Sequence, residues 1–188
     1  MKKKIPKKIT LDNLENSAIK YLEKYSVSEY QLTSMLKRKI IKTSFFYKIK
    51  SEKEYEFIDL ITNKFKKIGL VDDKKFSEHK TLIYMEKGYS KKKIIFNLKT
   101  KGISDENIRY GINSLKTSYD NPELASALIY AKKKKFLNFK KKEKNFDETK
   151  KKLLQMSQVG FSYDTAKKII NLNNEKEFLE LEKETKKN

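Results

Sequence analysis

The stretch Gly69–Phe76, GLVDDKKF, decides the fold. A glycine closes the apolar run before it, two adjacent carboxylates open the next, and Phe76 begins that run's buried face. Gly69 fits the residue just past a helix end, where positive φ is needed, and Asp72 or Asp73 fits the cap of the helix that follows. The same punctuation returns at Gly88, at Ile94 and Leu98, and at Lys101-Gly102-Ile103. Helices stopped and restarted this regularly predict a helical repeat protein rather than a catalytic domain, with function carried on a surface.

Upstream of Gly69, Leu14, Ala18, Tyr21, Leu22 and Tyr25 recur at helical spacing with charges between them, which predicts a first helix from Asp12. Ser28 and Gln31 form a capping box that opens a second helix carrying Leu32, Met35 and Leu36. Ile40 to Lys50 (IIKTSFFYKIK) reads as a loop or short extra element, with Phe45, Phe46 and Tyr47 anchoring it to the core. Ser51-Glu52-Lys53-Glu54 repeats the capping-box logic ahead of Phe57, Ile58, Ile61, Phe65 and Ile68, the third helix.

Downstream, one helix runs through Phe76, Ile83 and Tyr84 to Gly88. Ser90 caps another bearing Ile94, Ile95 and Leu98, and Ser104 caps a third with Ile108, Ile112 and Leu115. Asn121-Pro122 starts a helix with Leu124, Leu128 and Ala131. Two more carry Leu153 with Met156 and, after Gly160 and Ser162, Ala166 with Ile169 and Ile170. Nine helices in three groups predict an all-α fold, an elongated, curved array of three tandem three-helix repeats, because a unit of about fifty residues buries too little alone. The expected divisions are a basic arm at 1–11, repeats at 12–71 (with an insertion about 40–50), 72–118 and 119–173, and a charged, fraying tail at 174–188.

The formal net charge of +20 favours a polyanionic partner, nucleic acid first, although lysine-rich composition of the kind an AT-rich genome produces accounts for part of it. With 37% apolar residues, 11 Tyr and 11 Phe, the chain can bury a core. Cysteine is absent, which excludes disulfides and thiolate metal sites. MKKKIPKKIT is followed by Asp12, Asn13 and Glu15 rather than an apolar segment, so it reads as a basic arm and not a signal peptide. No stretch is apolar enough to span a membrane, and a soluble, cytoplasmic, monomeric protein is expected.

Five glycines, at 69, 88, 102, 111 and 160, cannot write a phosphate loop or a dinucleotide-binding turn. Asp72-Asp73 fits a cap better than a metal pair, and His79, the single histidine, has no partner at ligand or catalytic spacing. Neither an enzyme nor a resident cofactor or metal is expected.

In the order and spacing of Ala18 to Tyr25, Ser28-Glu29, Leu32, Gly69 to Asp73, Phe76, Gly88, Ile94, Leu98 and Lys101-Gly102-Ile103, the chain resembles the RecX family, regulators of the RecA recombinase. Lys39 stands where that family usually has a glycine, and Lys24-Tyr25 replaces a commonly arginine-rich segment. The resemblance implies a three-repeat protein that binds RecA filaments on single-stranded DNA. Such a protein suppresses ATP hydrolysis, strand exchange and co-protease activity, in recombination, DNA repair and the SOS response. A sequence-nonspecific basic DNA-binding or architectural protein, acting by competition for DNA, is the alternative.

The candidate contacts to filament or DNA are Lys91, Lys92, Lys93, Lys99 and Lys101, on and around the helix whose buried face carries Ile94 and Leu98. Lys37, Arg38, Lys66, Lys67 and Arg109 join them, and Tyr89, beside a helix boundary, is the aromatic expected to be exposed for stacking on bases. Tyr84, Phe96 and Tyr110 are expected in the core. Cations at phosphate spacing would give binding to single-stranded, and secondarily double-stranded, DNA that is indifferent to sequence and sensitive to salt. The same lysines also fit an ordinary solvated face. The runs Lys132 to Lys135 and Lys140 to Lys142 wrap around a helix, so only part of each can face one partner.

Overall fold

The structure, a computed structural model, describes residues 5–137 and 146–187. Those residues form ten α-helices: α1 (Leu11–Leu22), α2 (Glu29–Tyr47), α3 (Glu56–Lys67), α4 (Asp73–Glu86), α5 (Lys91–Lys99), α6 (Asp105–Ser114), α7 (Pro122–Lys133), α8 (Phe146–Gln158), α9 (Tyr163–Ile170) and α10 (Glu175–Glu184). The all-α class is as expected. Contacts divide the chain into two compact units, Met1–Phe76 with Lys101–Ile103, and Ser77–Thr100 with Ser104–Asn188.

In the first unit, Leu14 and Ala18 of α1, Leu32, Leu36 and Ile40 of α2, and Ile58, Ile61 and Phe65 of α3 share one core. The stripe of α2 explains why the expected loop at Ile40 to Lys50 is not there. Leu32, Leu36, Ile40 and Thr43 are all buried and continue one helical face, so α2 runs on to Tyr47 and stops at Lys48 in the left-handed conformation (φ 53°). Phe45 and Phe46 lie off that face and are 87% and 51% exposed, so neither anchors the core. Tyr47 is half-buried, and its hydroxyl donates to the Pro6 carbonyl at 2.8 Å.

The Ser28 cap forms as expected, with Gln31 closing the box. Ser51 caps nothing in α3. A 3-10 turn, Lys53–Tyr55, leads straight into the helix, and the Glu56 N–H reaches the Lys53 and Glu54 carbonyls instead. Asp72 and Asp73 divide the expected capping role. Asp72 Oδ1 accepts from the Lys74 and Lys75 amides at 3.0 Å, whereas Asp73 Oδ1 reaches across to the Glu29 amide at 2.8 Å, adding a second cap to α2. Burial pushes the Asp73 carboxyl above its ordinary value. The segment Lys101–Ile103 closes this unit, because Lys101 offers its carbonyl to Ser28 Oγ at 2.6 Å and Gly102 lies against Tyr30. A Cβ at Gly102 would fall 2.3 Å from Tyr30 Cβ, and its φ of 74° also requires glycine.

In the second unit, Ser90, Ser104, Asn121 and Ser162 cap α5, α6, α7 and α9 as the sequence predicts. Gly111 of α6 sits on Ser77 and Thr81 of α4, two fully buried hydroxyl residues one helical turn apart. Leu124, Ala127, Leu128 and Ala131 of α7 meet Met156, Phe161, Ala166, Ile169 and Ile170, and Phe178 of α10 enters the same cluster.

The charged segment expected to fray, 174–188, is therefore ordered through residue 187. Asn174 caps α10 with its side chain, and Phe178 and Thr185 are buried. Thr185 accepts from the Asp120 amide at 3.0 Å, and Lys187 donates to the Ser118 carbonyl at 3.1 Å.

Candidate nucleic-acid interface

The buried positions of α5 fix which side chains point outward. Ile94 and Leu98 enter the core, so Lys92, Phe96 and Lys99, at i, i+4 and i+7, line the opposite face. Phe96 is 67% exposed, against the expectation that it packs in the core. It sits between two lysines of its own stripe. Lys91 and Lys93 are also exposed, and the first turn of α5 has no carboxylate to set against three ammonium groups at the positive end of the helix dipole. An added anion would be stabilised there by both the lysines and the dipole.

Lys99 is not free. Its ammonium lies 2.9 Å from Asp105 Oδ1, and this contact, with a smaller contribution from Arg109, holds the Asp105 carboxyl below its ordinary value. Arg109 is exposed one turn along α6 from Asp105. Asp105 thus offsets part of the positive charge at that end of α5.

Tyr89 is half-buried rather than open. Its ring stacks on Tyr84 with centroids 5.5 Å apart and planes 8° from parallel, and Lys93 Nζ lies 4.1 Å from its centroid. Burial, then the neighbouring Tyr89, pushes the Tyr84 phenol up. A base stacking on the Tyr89 ring would have to compete with these face contacts. Tyr110 is 39% exposed.

The remaining candidates belong to the first unit. Lys37 and Arg38 are exposed on α2, and Lys67 is exposed at the end of α3. Lys66 pairs with Glu29 at 2.8 Å, which raises its affinity for the proton and occupies its charge. Lys101 is half-buried and contributes its backbone carbonyl to the Ser28 contact.

Lys132, Lys133, Lys134 and Lys135 are exposed, with Lys133 donating to the Lys87 carbonyl at 3.2 Å. Lys140 to Lys142 lie outside the described residues. His79 is exposed on α4, and no group of three carboxylate, histidine or cysteine side chains suited to a metal occurs among the described residues. No helix among them is long and apolar enough to cross a membrane.

Phe96 is the residue that sequence reasoning missed. The signal was present, since placing Ile94 and Leu98 inward necessarily turns position 96 outward.

No family model matches the chain. It is 26% identical over 171 residues to the regulatory protein RecX of Myxococcus xanthus, a match that spans 90% of each chain. The chain is RecX-like. In structure it resembles RecX from Lactobacillus salivarius, with a TM-score of 0.63 at 23% identity over 85% of this chain and 94% of that one. A second RecX crystal structure aligns with a TM-score of 0.59 at 17% identity, over 86% of this chain and 74% of that one. At these identities the two structures speak for the fold, which is the helical RecX fold.

Proposed function

We propose that the protein is a RecX-like regulator that binds RecA filaments on single-stranded DNA and lowers RecA ATP hydrolysis, strand exchange and co-protease activity. The observation that carries this reading is the similarity to a RecX regulatory protein across 90% of both chains. The protein acts on a partner and not as a catalyst. Three tandem helical groups, α1 to α3, α4 to α6 and α7 to α9, engage neighbouring protomers together, so weak contacts on linked elements add as avidity. The outer face of α5, with Lys92 and Phe96 at its centre, turns to DNA, where lysine meets phosphate and the phenyl ring stacks on an unpaired base.

The test is ATP hydrolysis by the cognate RecA on saturating single-stranded DNA, with this protein added well below stoichiometry and the measurement repeated at raised salt. Loss of hydrolysis at both salts is expected. Loss at low salt alone, relieved by extra DNA, would replace this reading with the basic DNA competitor, which the exposed Phe96 between Lys92 and Lys99 also supports.

Within the α5 face, Lys92→Glu and Phe96→Ala should each weaken binding to single-stranded DNA with helicity unchanged, the second by the ~1–3 kcal/mol that a stacked base contributes. Unchanged binding in both would remove α5 from the interface. Lys92 is the cleaner charge reversal, because Lys99→Glu would also set a carboxylate beside Asp105.

A further inference from the structure

The first unit contains a second concentration of positive charge, different in kind from the α5 face. The N-terminal arm, α1 and α2 form an open cleft of about 620 Å³ lined by Lys7, Lys20, Arg38, Lys39 and Lys42, and no carboxylate lines it. None of the five forms an ion pair among the described residues, although Lys64 and Lys66 nearby in the same unit pair with Glu15 and Glu29. The arm is fixed where it forms the cleft wall. Its Pro6 carbonyl accepts from Tyr47, and its Lys8 carbonyl accepts from Asn13 Nδ2 at 3.1 Å.

Lys39 is the centre of this arrangement. It is half-buried, and its ammonium donates to the Ser17 hydroxyl, a neutral acceptor that cannot cancel its charge. Burial and then repulsion from Lys7 and Lys20 lower its affinity for the proton. Arg38 Nε is held by the Ser34 carbonyl at 3.3 Å, which orients the guanidinium and leaves its terminal N–H groups for another acceptor. A concave surface lined by one sign of charge focuses the field of such a set, and the volume falls within the range of pockets that hold small ligands.

The geometry points to an anion site: the cleft formed by Lys7, Lys20, Arg38, Lys39 and Lys42 binds phosphoryl groups, either of a nucleic-acid strand or of a free nucleotide or polyphosphate. A phosphate carries several acceptor oxygens for these donors, and Arg38 suits paired contact with two of them. Ser17 and Thr43, whose hydroxyls can donate as well as accept, belong to the same lining. An acidic peptide offers planar carboxylates at wider spacing and matches five cations gathered on one cleft less well than a phosphate with several oxygens does. The strand source deepens the regulator reading and rests on its DNA contact; the free-phosphate source does not.

The experiment uses the full chain without RecA. Fluorescent oligothymidylate is titrated across a potassium chloride series by anisotropy, and pyrophosphate and polyglutamate are then compared as displacers. Three proteins are tested: wild type, Lys7→Gln/Lys20→Gln/Lys42→Gln, and a control of equal charge loss, Lys53→Gln/Lys150→Gln/Lys151→Gln, at exposed positions outside the cleft.

The cleft variant should lose about tenfold or more in affinity at low salt and reduce the salt slope by about 2, from roughly 0.7 per cation on a single strand. The control should lose much less. If the strand is the source, oligothymidylate binds tightly. If a free phosphate is, pyrophosphate raises the wild-type melting temperature but not that of the cleft variant. Equal behaviour of the cleft variant and either wild type or the control in both arms would overturn the site, and displacement by polyglutamate as effective as by pyrophosphate would overturn its phosphate chemistry.

Lys39→Met separates a folding defect from lost binding, because it should melt higher than wild type while binding the anion more weakly. A lower melting temperature, or undiminished binding, would refute the role given to Lys39. Since RecA is absent, failure here leaves the regulator reading to its own ATPase test.

Discussion

Gly111→Ala tests the packing of α4 against α6. A methyl group at 111 would lie 2.6 Å from Ser77 Oγ, 2.8 Å from Thr81 Oγ1 and 2.9 Å from the Ser77 carbonyl oxygen. Comfortable carbon contacts begin at about 3.4 Å, so the shortfall is about 0.5–0.8 Å. Ser77 can rotate its hydroxyl away, but the carbonyl is part of the α4 backbone, and Thr81, branched at Cβ, has at most two χ1 rotamers in a helix. The helices must therefore separate. Overpacking of this kind costs about 1–3 kcal/mol, and the immobile carbonyl places the cost in the upper half of that range. Alanine recovers about 0.5–1 kcal/mol of helix propensity.

The net loss is about 1–2.5 kcal/mol, which for a chain of this size lowers the melting temperature by about 2–10 °C. The assay is thermal unfolding followed by circular dichroism in a two-by-two cycle with Ser77→Ala. Ser77→Ala alone should stabilise by about 1 kcal/mol, because the buried Ser77 hydroxyl has no hydrogen-bond partner, and in that background Gly111→Ala should cost less. A single Gly111→Ala protein that melts at or above wild type would refute the close approach.

Other outcomes follow from the same reasoning. Leu98→Ala, at a fully buried position of α5, should destabilise by about 2–5 kcal/mol in urea titration, with DNA binding of the folded fraction unchanged. Phe178→Ala should cost about 3–5 kcal/mol if α10 is part of the second core, whereas a dispensable tail would show no loss of stability. Asp73 has a folded pKa above its ordinary 3.8, chiefly from burial, so the folded state holds its proton more tightly than the unfolded state. Its contribution is then largest at low pH and is lost as pH rises from 3.8 through the folded value. Asp73→Asn keeps an acceptor for the Glu29 amide, and should flatten that part of the stability profile and exceed wild-type stability above it. Asp73→Ala, which abandons the cap, should lose about 1 kcal/mol.

What was legible in the sequence was local. A serine or asparagine at a helix start declares itself within three residues, which is why Ser28, Ser90, Ser104, Asn121 and Ser162 stand where the pattern put them. Composition misled where it outweighed periodicity. The aromatics of Phe45-Phe46-Tyr47 suggested an anchored loop, while the deciding stripe of Leu32, Leu36, Ile40 and Thr43 was already present. The charges of α10 likewise hid Phe178 and Thr185, spaced by two helical turns. Phe96 shows the reverse, since its aromatic ring suits a core while its place opposite Ile94 and Leu98 on α5 turns it outward. The cationic cleft could not be read at all, because it joins Lys7, Lys20 and Lys42 from the arm and two helices, and only the fold supplies that proximity.

The closure of the first unit by Lys101–Ile103 has a consequence for how this chain can be divided. The chain passes from one unit to the other three times, after Phe76, after Thr100 and after Ile103, so no single cut yields two whole pieces. A protein ending at Phe76 would lack the carbonyl that receives Ser28 and the glycine that lies under Tyr30. On the ribosome, the first unit therefore waits for the Ser77–Thr100 part of the second to be synthesised before its last contacts can form. Shuffling these units between genes as independent modules would require rebuilding that seam.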